Sequence, residues 1–362
     1  MTIKAKELAS MLNISEATLS LVLNHKRGIS DKTREKVSKQ IVDMGYEEMF
    51  KDKPDMVSEE NVSGEKTISN SALPTEKGNI GFVIYKNTGH FIESTPFFPL
   101  IIDGMDITAR KNGYKLLTIN IRRDMDLQTK IGYLRESGCE GFVIYAPELP
   151  EDDADAFLNL QMPIVLLDNF FYEKNMDSVV LNNSQGIYIV LKKLMELGHR
   201  KIGYLGSGVN IQSYKERKEN YIKFMNEFGL EIDERYVADI GYPEQQSIEG
   251  MIKLIEKNKD YMPTAFVADT EYVAYGAIKA LQKMGYRVPD DVSVVGFSDR
   301  PVCIYCEPKI ATMRIPRFRF GAEAVDLLIN KIINNSPEER SFVKTEVSME
   351  FVMRESVGIA RI

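Results

Sequence analysis

From Asn79 onward, short β-rich runs alternate with amphipathic helical segments, and this alternation leaves the chain few architectures to choose from. The strand-like runs are 80–85, 115–121, 141–145, 164–167, 201–205, 264–268 and 292–297. Helical segments at 98–111, 184–197, 214–228, 247–257 and 271–284 separate them. Strands joined through helices must lie parallel, because a tight turn can only reverse direction, and such crossovers are right-handed. The run Asn79-Ile80-Gly81-Phe82 returns as Lys201-Ile202-Gly203-Tyr204, and each copy opens its own series of βα units. The expectation is an α/β body of two doubly wound parallel-sheet lobes with a cleft between them. Ligands collect in such folds beyond the carboxyl ends of the strands.

The first 46 residues read differently, as a small all-α head. Leu8 and Leu12 stand one helical turn apart, Asn13-Ile14-Ser15 breaks the pattern, and Ser15 caps a second helix that carries Leu19, Val22 and Leu23 on one face. A second break at Asn24–Gly28 precedes a third helix, capped by Ser30 or Asp31 and striped by Val37, Ile41 and Met44. Two short helices joined by a few residues, with a third behind them, make a helix-turn-helix.

Net charge is −7, which taken alone argues against a nucleic-acid partner. It is unevenly spread. Residues 1–46 hold eight Lys/Arg against five Asp/Glu, whereas residues 47–79 hold four Lys against eight Asp/Glu. A basic head on an acidic body suits a nucleic-acid-binding module joined to an effector domain. The acidic stretch has little periodicity and is sparse in aromatic residues, so it is expected to be a flexible linker. The domain expectation is therefore a head at 1–46, an acidic linker or atypical hinge at 47–78, and a two-lobed effector-binding and dimerisation domain at 79–362.

Exclusions follow from the same reading. The opening MTIKAKELAS has no apolar core or cleavage site, and no apolar run reaches the ~18 residues that span a bilayer, so no membrane association is expected. Three cysteines cannot build a disulfide framework, and a reducing cytoplasm suits them. Cys303 and Cys306 form a C-x-x-C without the second pair that a structural zinc needs. No phosphate-binding glycine signature or nucleophile motif is present, so neither catalysis nor a cofactor is expected.

Four segments in one order carry a family resemblance: the head KELASMLNISEATLSLVLNHKRGISDKTREKVSKQIVDMGY, then ELGHRKIGYLG, AFVADTEYVAYGAIKAL and RVPDDVSVVGFSD. The chain resembles the LacI/GalR transcription regulators along nearly its whole length apart from the linker. The resemblance implies a helix-turn-helix head on a type I periplasmic-binding-protein-like body. It also implies operator DNA and a small effector, a sugar or other small metabolite, as partners, and a homodimer or tetramer on a pseudo-palindromic operator. The function it implies is an effector-responsive regulator, a repressor in the usual case.

Site residues carry over position by position. Ser15 to Leu23 matches the recognition helix, with Glu16, Ala17 and Leu21 at base-reading positions and Thr18, Ser20 and Asn24 at backbone-contacting or supporting ones. Ser15 sits at that helix's start, and Ser30, Thr33 and Arg34 stand where a third helix can meet phosphates. In the body, Phe97, Phe98 and Tyr242 match aromatic walls, Asp168 and Glu271 match acceptors, and Arg217 matches the residue that holds a polar effector group. Ser298 replaces an Asp that sugar-binding relatives use, with Asp299 beside it. The hinge departs from the family: Gly45-Tyr46 is followed by Glu47-Glu48-Met49-Phe50 instead of Pro-Asn and a short Ala/Arg-bearing helix. Asn70-Ser71-Ala72-Leu73 stands as a displaced hinge candidate, with Leu73 as the minor-groove wedge. Two rivals remain open at this level. One is a cytoplasmic solute-binding protein whose head has lost specific DNA binding, and the other is an α/β enzyme.

Overall fold

The computed structural model describes residues 76–87, 98–258, 261–334 and 341–361 of the body, and in the head residues 9, 12, 14–23, 30, 33, 34, 37 and 38. The linker, the displaced hinge candidate, Asn24 and Phe97 lie outside the described residues. The chain forms two compact units, Met1–Asn70 and Ser71–Ile362.

In the head, α1 (Glu16–Leu23) buries Leu19, Val22 and Leu23, and Ala9, Leu12 and Val37 are buried as well. Ser15 caps it, its Oγ accepting from Thr18 N at 3.0 Å. Ser30 repeats the device, accepting from Thr33 N at 3.1 Å. Each cap satisfies an amide that has no partner within its helix.

The body contains two six-stranded sheets. Lobe 1 begins with β1 (Gly78–Lys86), α2 (Phe98–Lys111), β2 (Tyr114–Arg122), α3 (Leu127–Glu136), β3 (Cys139–Tyr145), α4 (Glu151–Leu158), β4 (Ile164–Leu167) and β5 (Asp177–Leu181). Lobe 2 continues with α5 (Asn183–Glu196), β6 (Ile202–Gly206), α6 (Gln212–Glu227), β7 (Val237–Asp239), α7 (Glu244–Lys257), β8 (Ala265–Ala268), α8 (Glu271–Lys283), β9 (Ser293–Ser298), α9 (Val302–Tyr305) and β10 (Ala311–Arg314). Next, α10 (Arg317–Ile333) packs on α2 and on β3 to β5, so the chain has returned to lobe 1. There β11 (Lys344–Val347) pairs parallel with β5, and β12 (Glu350–Val352) crosses back to pair antiparallel with β10. The strand orders are β11-β5-β4-β3-β1-β2 and β12-β10-β9-β8-β6-β7. Helices cover both faces, which is why the central strands are continuous apolar runs rather than alternating ones.

The repeated Ile-Gly pair has a structural reason. β1 and β6 occupy the same place in their sheets, one strand from the edge. Gly81 lies opposite Phe142 of β3, and Gly203 opposite Phe266 of β8. A Cβ on either glycine would run into that ring, so each glycine vacates the volume that the neighbouring phenylalanine fills.

Three crossings join the lobes: β5 to α5, β10 to α10, and β11 to β12. They run side by side. Asn182 N donates to Val347 O at 2.9 Å, and Arg314 at the end of β10 lies opposite Glu350. Leu181, Ile315, Val347 and Met349 carry the apolar core through the crossings. Every strand and helix expected in the body is found, with ends displaced by up to three residues, while most of the first and third head helices lies outside the described residues. α3, α4, β5, β7 and everything beyond Ser298 add to that expectation.

Candidate functional site

The two sheets direct the carboxyl ends of β4, β6, β8 and β9 toward one another. Between them lies a narrow cleft with a cavity volume of about 10 Å³, lined by Asp168, Leu181, Ile211, Ser213, Tyr214, Arg217, Ser298, Arg300 and Ile315. Lobe 1 contributes Asp168, lobe 2 contributes Ile211 through Arg300, and the crossings contribute Leu181 and Ile315.

Asp168 stands one residue past β4 with φ +64. Its Oδ1 accepts from Ser213 Oγ at 2.8 Å, a bond that spans the lobes. Arg217, one turn further along α6 and 2% exposed, is clamped on all sides. Its Nε donates to Asn183 Oδ1 at 2.9 Å, its Nη1 donates to Asp269 O at 2.6 Å, and its guanidinium lies 4.0 Å from the Phe297 ring centre. Such a fork, stacked and held by two acceptors, is fixed before any ligand arrives.

Asp269 stands to β8 as Asp168 stands to β4. Its Oδ2 accepts from Ser207 N at 2.6 Å and from Ser207 Oγ at 2.7 Å, while Oδ1 is buried with no hydrogen-bond partner among the described residues. Burial pushes the Asp168 carboxyl up to about 6, against the pull of Ser213 and Arg217. It pushes Asp269 up to about 7, against the Ser207 hydrogen bonds. Asp168 and Arg217 make the lining polar, able both to accept from and to donate to a hydroxyl- or amide-bearing ligand, while Asp269 stands outside the lining and holds Arg217 through its main-chain carbonyl. Phe98 meets Tyr145 edge to face at 5.0 Å, forming the apolar side of lobe 1 near Asp168.

Other residues named from the sequence are committed elsewhere. Glu271, fully buried, forms an ion pair with Arg300 at 2.8 Å and does not line the cavity. Asp299 binds Arg314 Nε and Arg354 Nη2, each at 2.7 Å, so both carboxylate oxygens are taken. The Tyr242 ring lies 6.2 Å from Tyr272, edge to face, and also stands outside the lining. Ser298 does line the cavity, on a backbone with φ +103 that side-chain-bearing residues rarely adopt. Ser213, Tyr214, Asp269 and Arg300 were not picked out from the sequence. The strand-end rule that singles out Asp168 applies equally to Asp269 and Arg300. Ser213 and Tyr214 carry no signal until α6 is known to begin at the cleft.

In the head, Ser15, Ala17 and Ser20 are exposed, and Thr18 and Leu21 partly so, on the side of α1 away from its buried stripe. Ser30 and Thr33 are exposed as well. Arg34 Nη1 donates to Leu21 O at 2.8 Å, closing a carbonyl in the last turn of α1 where a cation is favoured. Cys303 and Cys306 are buried free thiols whose pKa burial raises, which makes both poor nucleophiles. No helix among the described residues is long and apolar enough to cross a membrane.

Residues 4–48 match the family described as bacterial regulatory proteins, lacI family, and residues 191–357 match the periplasmic binding protein-like domain. The chain is 27% identical over 354 residues to the HTH-type transcriptional repressor PurR of Pasteurella multocida, covering 97% of this chain and 98% of that one. It is 25% identical over 353 residues to the ribose operon repressor of Haemophilus influenzae, with the same coverage. Among solved structures, the transcriptional regulator CelR–cellobiose complex shares the fold with a TM-score of 0.68 at 21% identity, over 98% of this chain and all of that one. A LacI family regulator from Enterococcus faecium with bound ribose has a TM-score of 0.62 at 21% identity, over 78% of this chain and all of that one. A lacI-type head and a periplasmic-binding-protein-like body follow one another in this order, and the chain is similar along nearly its full length to repressors with that arrangement.

Proposed function

We propose that this chain is an effector-responsive, DNA-binding repressor of transcription. It binds a two-fold-symmetric operator as a homodimer in the cytoplasm and takes a small polar effector in the cavity between its lobes. The observation that carries the reading is the convergence of Asp168, Ser213, Arg217 and Ser298, from both lobes, on one cavity at the strand ends. Its relatives are named as repressors, and solved structures of the same fold hold cellobiose and ribose.

The roles follow from the chemistry. Asp168 accepts from ligand hydroxyl or amide hydrogens, Arg217 donates from a position that Asp269 and Asn183 fix, and Tyr214 supplies an aromatic wall. Ser298 donates or accepts at the lobe 2 side. In the head, Ala17 and Leu21, with Glu16, face base edges, while Thr18, Ser20, Ser30 and Thr33 meet the backbone. One head reads few bases, and two-fold pairing doubles the contact. Because Asp168 and Ser213 sit on different lobes, a ligand that replaces their hydrogen bond favours a different lobe arrangement. Operator affinity then changes by the same factor by which DNA changes effector affinity.

A thermal-shift panel of pentoses, hexoses, disaccharides and nucleobases tests the site. One class should raise the melting point, by the equivalent of about 2.7 kcal/mol at a hundredfold excess over Kd. Arg217→Leu should abolish the shift. A panel without any shift, or a shift that Arg217→Leu leaves intact, would remove the cavity as the effector site.

A further inference from the structure

The lobe 2 side of the cavity rests on the turn Ser298-Asp299-Arg300, whose first two residues both have positive φ, +103 and +54. Neither is a glycine, so the surroundings must hold the turn in place. Three arginines do so. Arg314 and Arg354 take the two carboxylate oxygens of Asp299. Arg317 Nη2 donates to the main-chain carbonyls of Ser298 at 2.7 Å and Asp299 at 2.8 Å.

The three differ in where they are rooted. Arg314 ends β10, and Arg354 follows β12 and donates to Ile310 O at 2.8 Å, so both belong to the sheet that carries the turn. Arg317 is the first residue of α10, which packs on lobe 1. Its neighbour Phe318 is pressed against α2: a Cβ added to Gly104 would strike Phe318 O, and one added to Gly321 would strike Ile101 O. The first turn of α10 is thus fixed to lobe 1 while its Arg317 side chain grips lobe 2. An arginine at a helix N-terminus opposes the helix dipole, and this first turn holds no acid to offset it. Helix formation therefore gives no reason for the residue, whereas the two carbonyls do.

We propose that Arg317 is a positioning residue that couples the arrangement of the lobes to the shape of the effector cavity, by tying helix α10 of lobe 1 to the turn that presents Ser298 and Arg300. When α10 moves with lobe 1, the pair of carbonyls moves with it, and the two cavity side chains are re-aimed. The role of those side chains rests on the effector reading above, but the tie itself can be measured without any effector, so the two can fail separately.

The test is an interlobe distance measured between spin labels on Tyr172→Cys in lobe 1 and Glu219→Cys in lobe 2, both exposed, in full-length protein diluted with unlabelled chain. The native cysteines, all buried, leave the labels to the introduced sites. Arg317→Gln should broaden the distribution and shift it to longer distance. Arg354→Gln, which loosens the same turn from within lobe 2, should leave the distance at the parent value. Arg317→Lys, which keeps one donor, should fall between parent and Gln, and it carries the comparison alone if the Gln variant does not fold. Hydrogen exchange at the Asp299 and Arg300 amides should rise in both Gln variants, showing that each has released the turn. A parent-like distance in every Arg317 variant that folds, or equal opening in Arg354→Gln, would overturn the proposal.

Discussion

Asp168 and Asp269 each follow a buried strand, each is at most 5% exposed, and each holds its proton more tightly than an exposed aspartate would. An acid whose folded pKa lies above its unfolded value, near 3.9, takes up protons on folding. Its contribution to stability is complete below about pH 4 and is lost as pH rises through about 6 for Asp168 and about 7 for Asp269. Denaturant midpoints of the unliganded protein between pH 5 and 8 should therefore fall, with the two residues together costing on the order of 2–4 kcal/mol. Asp168→Asn and Asp269→Asn should each flatten the profile, and parallel profiles for parent and variants would refute the assignment. A second expectation concerns Ser298, whose φ of +103 suits glycine. Ser298→Gly should raise stability by about 1 kcal/mol, measured by urea unfolding, while weakening effector binding through loss of the hydroxyl. Sequence reasoning reached Asp168, Arg217 and Ser298 by matching positions of the family that the chain resembles, and only Asp168, at a strand end, carries a signal of its own. It also named Glu271 and Asp299, whose carboxylates face the correct end of the sheet but are neutralised by Arg300, Arg314 and Arg354. Which arginine answers which acid depends on crossings that bring residue 354 beside residue 299, and no local pattern encodes that.

At the scale of elements, the repeated Ile-Gly motif shows how a sequence echo becomes packing. Gly81 and Gly203 clear space for Phe142 and Phe266 in equivalent positions of the two sheets. Gly203→Val should cost about 3 kcal/mol or more in thermal unfolding, because the displaced ring has no other volume to fill, and Gly81→Val should cost about the same. A loss below about 1 kcal/mol at either site would mean that the rings relax more readily than the close-packed sheets imply. The alternation of strands and helices was legible at β1 to β4, β6, β8 and β9, which stand between well-separated helices. β5, β7, β10, β11 and β12 were not; the last three are defined by their partners at and across the crossings. In the head, the cap at Ser15 was legible, and Ser30 was one of two candidates beside Asp31, of which the structure shows Ser30 accepting from Thr33 N. Ser15→Ala should lower head stability by about 1 kcal/mol and weaken operator binding with it.

The whole molecule joins a basic helix-turn-helix to an acidic two-lobed body through an acidic segment with eight carboxylates. Within the body, three adjacent crossings join the lobes, and the Asp168–Ser213 hydrogen bond and the Arg317 hydrogen bonds both span that joint. A ligand in the cavity acts on the same joint, and for this reason the account treats effector binding and DNA binding as linked. The measurement that tests this most directly is selection of full-length protein on a randomised duplex pool at low and physiological salt, with a chain starting at Asn79 as the control. The account predicts enrichment of one two-fold-symmetric site that persists at physiological salt and requires the head. Binding that is equal in both chains, selects no sequence and vanishes on adding salt would contradict it and leave a solute-binding protein.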